Sequence, residues 1–362
     1  DQDDCREEEM ESYQRGQSAS QLFFFGHHPV TVFPRQGAGG VVHQDGAIHA
    51  FAGNLVDLQI LNMRSNLFEG ALPAEVGNLA VLTQLNFHDN QLTGSIPASL
   101  GGLTNLISLR LHGNQLSGSI PVELGDLVNL QELYLNNNAL TGPLPASFGG
   151  LESLLVLYLE YNQLNGPIPA EIGDLDSLLV LSLHHNLLDG PLPAQLGDLA
   201  AIEVLSLQWN EFTGSIPTEL GGLSSLQVLD LHHNQLTGSV PAELGSLSLL
   251  YTLYLNDNQL TGSIPAGLGA LSDLGYLRLD ENQLSGAIPA ELGGLTGLLD
   301  LWLCKNRLTG AIPASLGNLV NLEYLHLHSN AIEGAIPASL ANLTALLPEG
   351  TDIGYNALYA TE

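Results

Sequence analysis

The sequence predicts a solenoid of short parallel strands, one strand per coil. Three observations carry that expectation. Asparagine recurs every 24 residues, at Asn66, Asn90, Asn114, Asn138, Asn162, Asn186, Asn210, Asn234, Asn258, Asn282, Asn306 and Asn330. The surroundings repeat with it as L-x-x-L-x-L-x-x-N-x-L-x-G-x-[ILV]-P-x-x-[LIVF]-[GA]-x-L. A proline follows each of these asparagines at the same offset, as at Pro97, Pro169 and Pro289. No single globular core needs such a period, so each unit is one turn of a stack in which neighbours bury each other.

In chain order, Gly46-Ala47-Ile48-His49 and Gly53-Asn54-Leu55 read as a degraded repeat with His49 where proline belongs. That leaves residues 1–45 as an N-terminal cap. Its apolar run Leu22-Phe23-Phe24-Phe25 is expected to cover the end of the leucine core, since an open solenoid end aggregates. The first eleven residues carry seven acids and are expected to be disordered.

Residues 46–345 are the expected solenoid. Within L-x-x-L-x-L the leucines alternate inward over a short strand, and strands stack in parallel roughly 4.8 Å apart into one sheet on the concave face of a curved right-handed superhelix. The repeated Asn is short enough to fold into the turn, where its amide donates to and accepts from backbone groups the bend leaves unpaired. The Gly after the next leucine relaxes backbone sterics, and the proline fixes φ near −65°. A long helix is thereby excluded, and the convex return is expected to be non-sheet, with short 3₁₀ pieces. Residues 346–362 are the expected closing repeat, cut short at Thr361-Glu362.

Composition narrows the partner. The chain has 38 acidic and 8 basic residues, a net charge of −30 over 362 residues. Duplex DNA, RNA and anionic membrane surfaces need Lys and Arg to displace counterions, so no nucleic acid is expected and a cationic or neutral partner is favoured. No run approaches the roughly 20 apolar residues of a membrane span, so no membrane insertion is expected. The chain opens at Asp1 without an initiator Met, as a mature or trimmed product does. Cys5 and Cys304 lie ten coils apart, roughly 48 Å, too far for an internal disulfide.

The motif Leu92-Thr93-Gly94-Ser95-Ile96-Pro97-Ala98-Ser99-Leu100-Gly101 resembles the plant-type class of leucine-rich repeats, and the resemblance covers about residues 46 to 345. That class includes receptor-kinase ectodomains and polygalacturonase-inhibiting proteins, and similar repeats occur in secreted bacterial proteins. The resemblance implies recognition by the concave sheet, outside the cell or on its surface. The ending Asp352-Ile353-Gly354-Tyr355-Asn356-Ala357-Leu358-Tyr359 looks like the closing repeat of the bacterial group, with Asn356 displaced two residues from the ladder. The paired cap cysteines and many glycosylation sequons of plant members are missing; one sequon, Asn342-Leu343-Thr344, is present.

If the leucine opening each strand motif is position 1 and the Asn position 9, positions 3, 5, 7 and 8 project from the concave sheet. Eight of the twelve histidines and both tryptophans fall there. Side chains with an apolar body and a polar tip are enriched where surfaces bind other molecules. The candidate ligand-binding residues are Tyr134, Tyr158, Tyr161, His184, His185, Trp209, Asp230, His232, His233, Tyr254, Asp280 and Trp302. Val156, Val180, Val204 and Val228 form an apolar ridge at position 3, and small Ser182 and Ser206 leave a trough beside it. An aromatic-walled trough with hydroxyl and imidazole donors suits a carbohydrate chain or an extended peptide. Farther on, Asp257, Asp280, Glu281 and Asp300 suit a basic group or Ca²⁺.

Catalysis is the weaker reading. Cys304, His326 and His328 on neighbouring strands have ligand types suited to Zn²⁺, but Lys305 beside them opposes a cation, and no catalytic motif is present. No cofactor, no metal and no enzymatic activity are therefore expected. The leading expectation is a recognition module for a protein, peptide or glycan. An assembly, adhesion or ice-binding protein that self-associates is the alternative, and a metal-dependent hydrolase the weakest. Clustered imidazoles in an acidic body also predict that binding changes between about pH 5 and 7, through protonated histidine.

Overall fold

A computed structural model describes residues 56–359. The expected cap, its Leu22–Phe25 run, Cys5 and the degraded repeat up to Leu55 lie outside the described residues.

The coil that starts at Leu154 shows how the sequence makes one turn. Val156–Tyr158 is the concave strand, with Leu157 inward and Val156 and Tyr158 outward. The chain turns through Leu159–Asn162 and runs back as a second short strand, Gln163–Gly166. Pro169, at φ −67° and ψ 143°, opens a 3₁₀ turn over Ala170–Asp174, which the Leu175 N–H closes onto the Ile172 carbonyl. Leu154, Leu157, Leu159, Leu164, Ile168, Ile172, Leu175 and Leu178 all point into the stack and are buried. Among the described residues every helical element is a 3₁₀ turn of this kind, because a proline stands at the start of each and the next coil begins within a few residues.

Thirteen concave strands form one parallel sheet, from Ile60–Asn62 to Thr351–Asp352, each hydrogen-bonded to the next coil's strand. The register is one-to-one: Val156, Val180, Val204 and Val228 are direct partners, as are Tyr158, Ser182, Ser206, Asp230 and Tyr254. Every position in the repeat is therefore a straight rank along the sheet.

The return path differs from the non-sheet side expected from the sequence. Its Q-L-x-G segments pair in parallel, seven strands from Glu69–Ala71 to Glu211–Thr213 and four from Ser285–Ala287 to Ala357–Tyr359. Isolated bridges Ser215–Thr237 and Ser239–Thr261 lie between the two runs. Proline had suggested otherwise, but it stands after this segment, so the segment keeps its N–H groups for the ladder.

The asparagines form the expected ladder. Asn186 Nδ2 donates to the carbonyls of Leu159 at 3.1 Å and Leu183 at 2.9 Å, and its Oδ1 accepts from the Leu164 N–H at 3.0 Å. Asn356, two residues late in sequence, still donates to Leu327 and Ile353 and accepts from the Ile332 N–H. The extra residues are taken up before the strand Thr351–Asp352.

Coils approach each other closely at the 3₁₀ turns. A Cβ on Gly125 would lie 2.3 Å from the Ser147 carbonyl oxygen, whereas one on Gly222 would have nothing within 4 Å. Gly125→Ala is expected to cost about 2–3 kcal/mol, because backbone of the next coil must move, while Gly222→Ala is neutral or slightly stabilising. Paired chemical-denaturation curves check this; equal midpoints for the two variants would refute the close-approach argument.

Candidate functional site

The residue before each ladder Asn adopts the left-handed backbone conformation, from Ser65 at φ 53° to Tyr355 at φ 50°, with Gly113 in the one coil that has glycine. The turn demands this geometry, which throws position 8 out along one rim of the concave sheet. Asn, Asp and Gly tolerate it best. Tyr161, His185, Trp209 and His233 are bulkier, yet occupy it in four consecutive coils.

Their rings stack as a ladder. Centroids are 4.3 Å apart for Tyr161 and His185, 5.3 Å for His185 and Trp209, and 3.5 Å for Trp209 and His233, with interplanar angles of 25°, 23° and 28°. Tyr161 and Trp209 remain 45% and 38% exposed. Because faces cover faces inside the ladder, what it offers outward are ring edges and polar tips. A parallel arrangement holds Tyr134 on Tyr158 at 4.9 Å, with Arg110 5.0 Å from the Tyr134 ring and paired with Glu132 at 2.7 Å.

The two His-His dipeptides behave differently, for a reason legible in their neighbours. His232 Nδ1 lies 2.6 Å from Asp230 Oδ1, and His233 Nδ1 bonds Asp257 Oδ2. The earlier pair has Ser182 in place of Asp230 and Trp209 in place of Asp257, so His184 and His185 turn to each other, Nδ1 to Nδ1 at 2.9 Å. One ring donates and the other accepts, which requires at least one neutral ring. Burial pushes His184 down to about 3, helped by the His185 and His232 rings. Burial likewise lowers His185 and His112 to about 4. Burial thus favours the neutral form of these three imidazoles, whereas His232 and His233 have the carboxylate neighbours that the expectation of protonated histidine requires.

Glu160, in the same rank as His184, titrates instead. Burial raises its carboxyl to about 7, against hydrogen bonds from backbone and from the Ser182 hydroxyl. The residue is 8% exposed and its Oε2 has no hydrogen-bond partner. It was absent from the candidates read from sequence. Its place among Tyr134, Tyr158 and Tyr161 was the available signal, but the absence of a cation beside it is visible only in three dimensions.

The remaining candidates form a second group. Arg278 lies between Tyr254 and Trp302, its guanidinium carbon 5.3 and 4.2 Å from their rings, and donates to Asp300 Oδ2 from Nε at 3.1 Å and Nη2 at 2.9 Å. Asp280 is buried in the adjoining rank. Lys305 pairs with Glu281 at 2.7 Å. With Asp300, Glu281 and Asp257 each partnered within the chain, the open acidic patch expected for Ca²⁺ or a basic group is not formed by these three acids. Cys304, His326 and His328 are not gathered as a ligand set: the His326 ring sits 4.2 Å from Trp302, and His328 Nδ1 is 3.2 Å from Asp352. Among the described residues no three His, Cys, Asp or Glu side chains are placed to hold a metal ion.

The candidate site is centred on the rank Tyr158, Ser182, Ser206 and Asp230, with the valine rank Val156, Val180, Val204 and Val228 beside it.

Comparison with known proteins agrees with this architecture. Family models match as a leucine-rich repeat region over residues 194–346, as leucine rich repeat over 118–164 and 128–188, and again over 81–103 and 105–127. No curated protein sequence matches. Among solved structures, a plant peptide hormone receptor in complex with RGF2 is 31% identical, with a TM-score of 0.72 over 86% of this chain. The chain spans about half the length of the receptors it matches, 57% of that one and 43% and 56% of two others. A plant ice-binding protein is 31% identical with a TM-score of 0.52, covering 61% of this chain and 71% of its own. A leucine-rich-repeat protein of Leptospira interrogans is 33% identical with a TM-score of 0.61, covering 85% of this chain and 81% of its own. With that match over most of both chains and twelve asparagines in an unbroken 24-residue series, the protein belongs to the leucine-rich-repeat family.

Proposed function

We propose that this protein is a non-catalytic recognition module that binds an extended peptide or protein segment along the central concave trough. The observation that carries the proposal is the ring ladder from Tyr161 to His233, held in a backbone conformation its residues disfavour. A sugar needs an exposed aromatic face, whereas this ladder presents edges, imidazole nitrogens and a phenol beside a valine ridge. Those groups suit the alternating polar and apolar character of an extended peptide, and favour peptide over glycan. Peptide-hormone recognition by a structural neighbour supports the same reading. The receptor ectodomain character of another supports an encounter outside the cell. No described helix is long and apolar enough to cross a membrane. The concave ranks of residues 134–302 are the working part of the solenoid.

The test replaces Tyr161 and Trp209 together with Asn, a residue that accepts the left-handed conformation. Wild type is expected to bind members of a peptide panel, and the double variant at least tenfold more weakly with unchanged or higher stability. Equal binding by the variant, or hits confined to a parallel glycan panel, would refute the proposal.

One observation favours a second reading. Thr213, Thr237, Thr261, Ser285 and Thr309 are exposed in one rank on the return path, and one structural neighbour is an ice-binding protein. Thermal hysteresis in a freezing assay would support that reading; the peptide proposal expects none.

A further inference from the structure

Glu160 is a buried carboxylate with no cation beside it among the described residues. It lies close enough to Tyr134, Tyr158 and Tyr161 for its charge to raise all three phenols, alongside the burial that is the main cause in each. The Ser182 hydroxyl bonds the same carboxyl, and Oε2 is buried without a hydrogen-bond partner. The flanking coils supply Asn136, whose Oδ1 is also buried and unpartnered, and His184, already engaged with His185. What converges here is a set of acceptors and aromatic rings without a positive donor among the described residues. A buried charge is ordinarily paired, and leaving one unpaired is among the costliest arrangements in a protein interior.

Building on the peptide-binding reading, we propose that this cluster takes an ammonium group of the ligand, a lysine side chain or a free amino terminus, against Glu160 and beside the tyrosine rings. An ammonium satisfies every group present. It donates to Glu160 Oε2 and Asn136 Oδ1 and rests its charge against aromatic rings, which attract cations at close range. A single unpartnered carboxylate oxygen suits the compact, rotatable donors of an ammonium better than the two-pronged fork of a guanidinium. The net charge of −30 draws such a ligand in from a distance.

The first probe is n-butylammonium at pH 8, followed by NMR of labelled tyrosine rings, with n-butanol as the uncharged control. Wild type is expected to show saturable shifts at Tyr134, Tyr158 and Tyr161 with the ammonium alone, and Glu160→Gln at least tenfold weaker binding while remaining folded. Absence of the shifts, or equal binding by Glu160→Gln, overturns the ammonium site. Two peptides then separate the sources: one acetylated with an internal lysine, the other lysine-free with a free amino terminus. Whichever loses affinity in Glu160→Gln identifies the source, and loss by neither overturns the proposal. Panel peptides that bind without depending on Glu160 but are lost in the Tyr161/Trp209 variant remove the ammonium site and leave trough recognition standing. Butylammonium binding without any peptide hit does the reverse.

Discussion

Asn186→Ala is expected to destabilise the protein by about 2–4 kcal/mol, the largest effect of any single polar substitution in the central coils. The side chain is 6% exposed and serves two coils. Its loss is felt unequally by the partners. The Leu159 carbonyl still accepts from Asn162 and the Leu183 carbonyl from Asn210. The Leu164 N–H, which donates to Asn186 Oδ1, is stranded at a buried residue. Asn186→Asp separates the two halves of the argument. Its carboxylate keeps an acceptor for Leu164 but loses both donors and brings a negative charge against carbonyl oxygens. It is expected to be worse than Ala at pH 7 and to recover part of the loss on acidification, as the buried acid takes up a proton. Denaturant midpoints of the three proteins at pH 4.5 and 7 decide it; Asp equal to wild type at pH 7 would show that the donors contribute nothing.

That ladder was readable from the sequence because a period of 24 leaves one function for an asparagine that never shifts. The same regularity gave the strand, the 3₁₀ return and the ranks of outward residues. It did not give the second parallel sheet, whose strands coincide with the L-x-G stretch and carry no alternation to mark them. The candidate site was legible as columns and illegible as contacts. That Trp209 and His233 lie in one column follows from spacing. That His184 faces His185 while His232 faces Asp230 depends on which coil supplies a carboxylate. The acidic run from Asp257 to Asp300 misled for the same reason, since counting charges says nothing of Arg278 and Lys305 lying across them. At His112, His184 and His185 the expectation of protonated histidine left out burial, which is the first cause of each shift.

Glu160→Gln is expected to raise stability at pH 8 by about 3 kcal/mol and to leave it unchanged near pH 4. The direction follows from a folded-state carboxyl raised from 4.5 to about 7, chiefly by burial. Below pH 4.5 the acid is protonated in both folded and unfolded chains and contributes nothing. Between 4.5 and about 7 the unfolded chain gives up its proton while the folded chain holds it, so stability falls as pH rises. Above 7 both are ionised and the penalty is constant. Glutamine has the same shape without the charge, so its stability curve lacks that fall. Denaturant titrations of both proteins from pH 4 to 8 read the difference directly, and parallel curves would mean that the carboxyl is solvated and unshifted. An acid that lowers the stability of its own fold across the neutral range gains nothing from the solenoid, whose strands and ladder accept other residues at that rank. Its retention beside three tyrosines is understandable if a ligand's cation offsets the penalty in the bound state. The same substitution should then stabilise the free protein and weaken the complex, an opposition that packing alone does not produce.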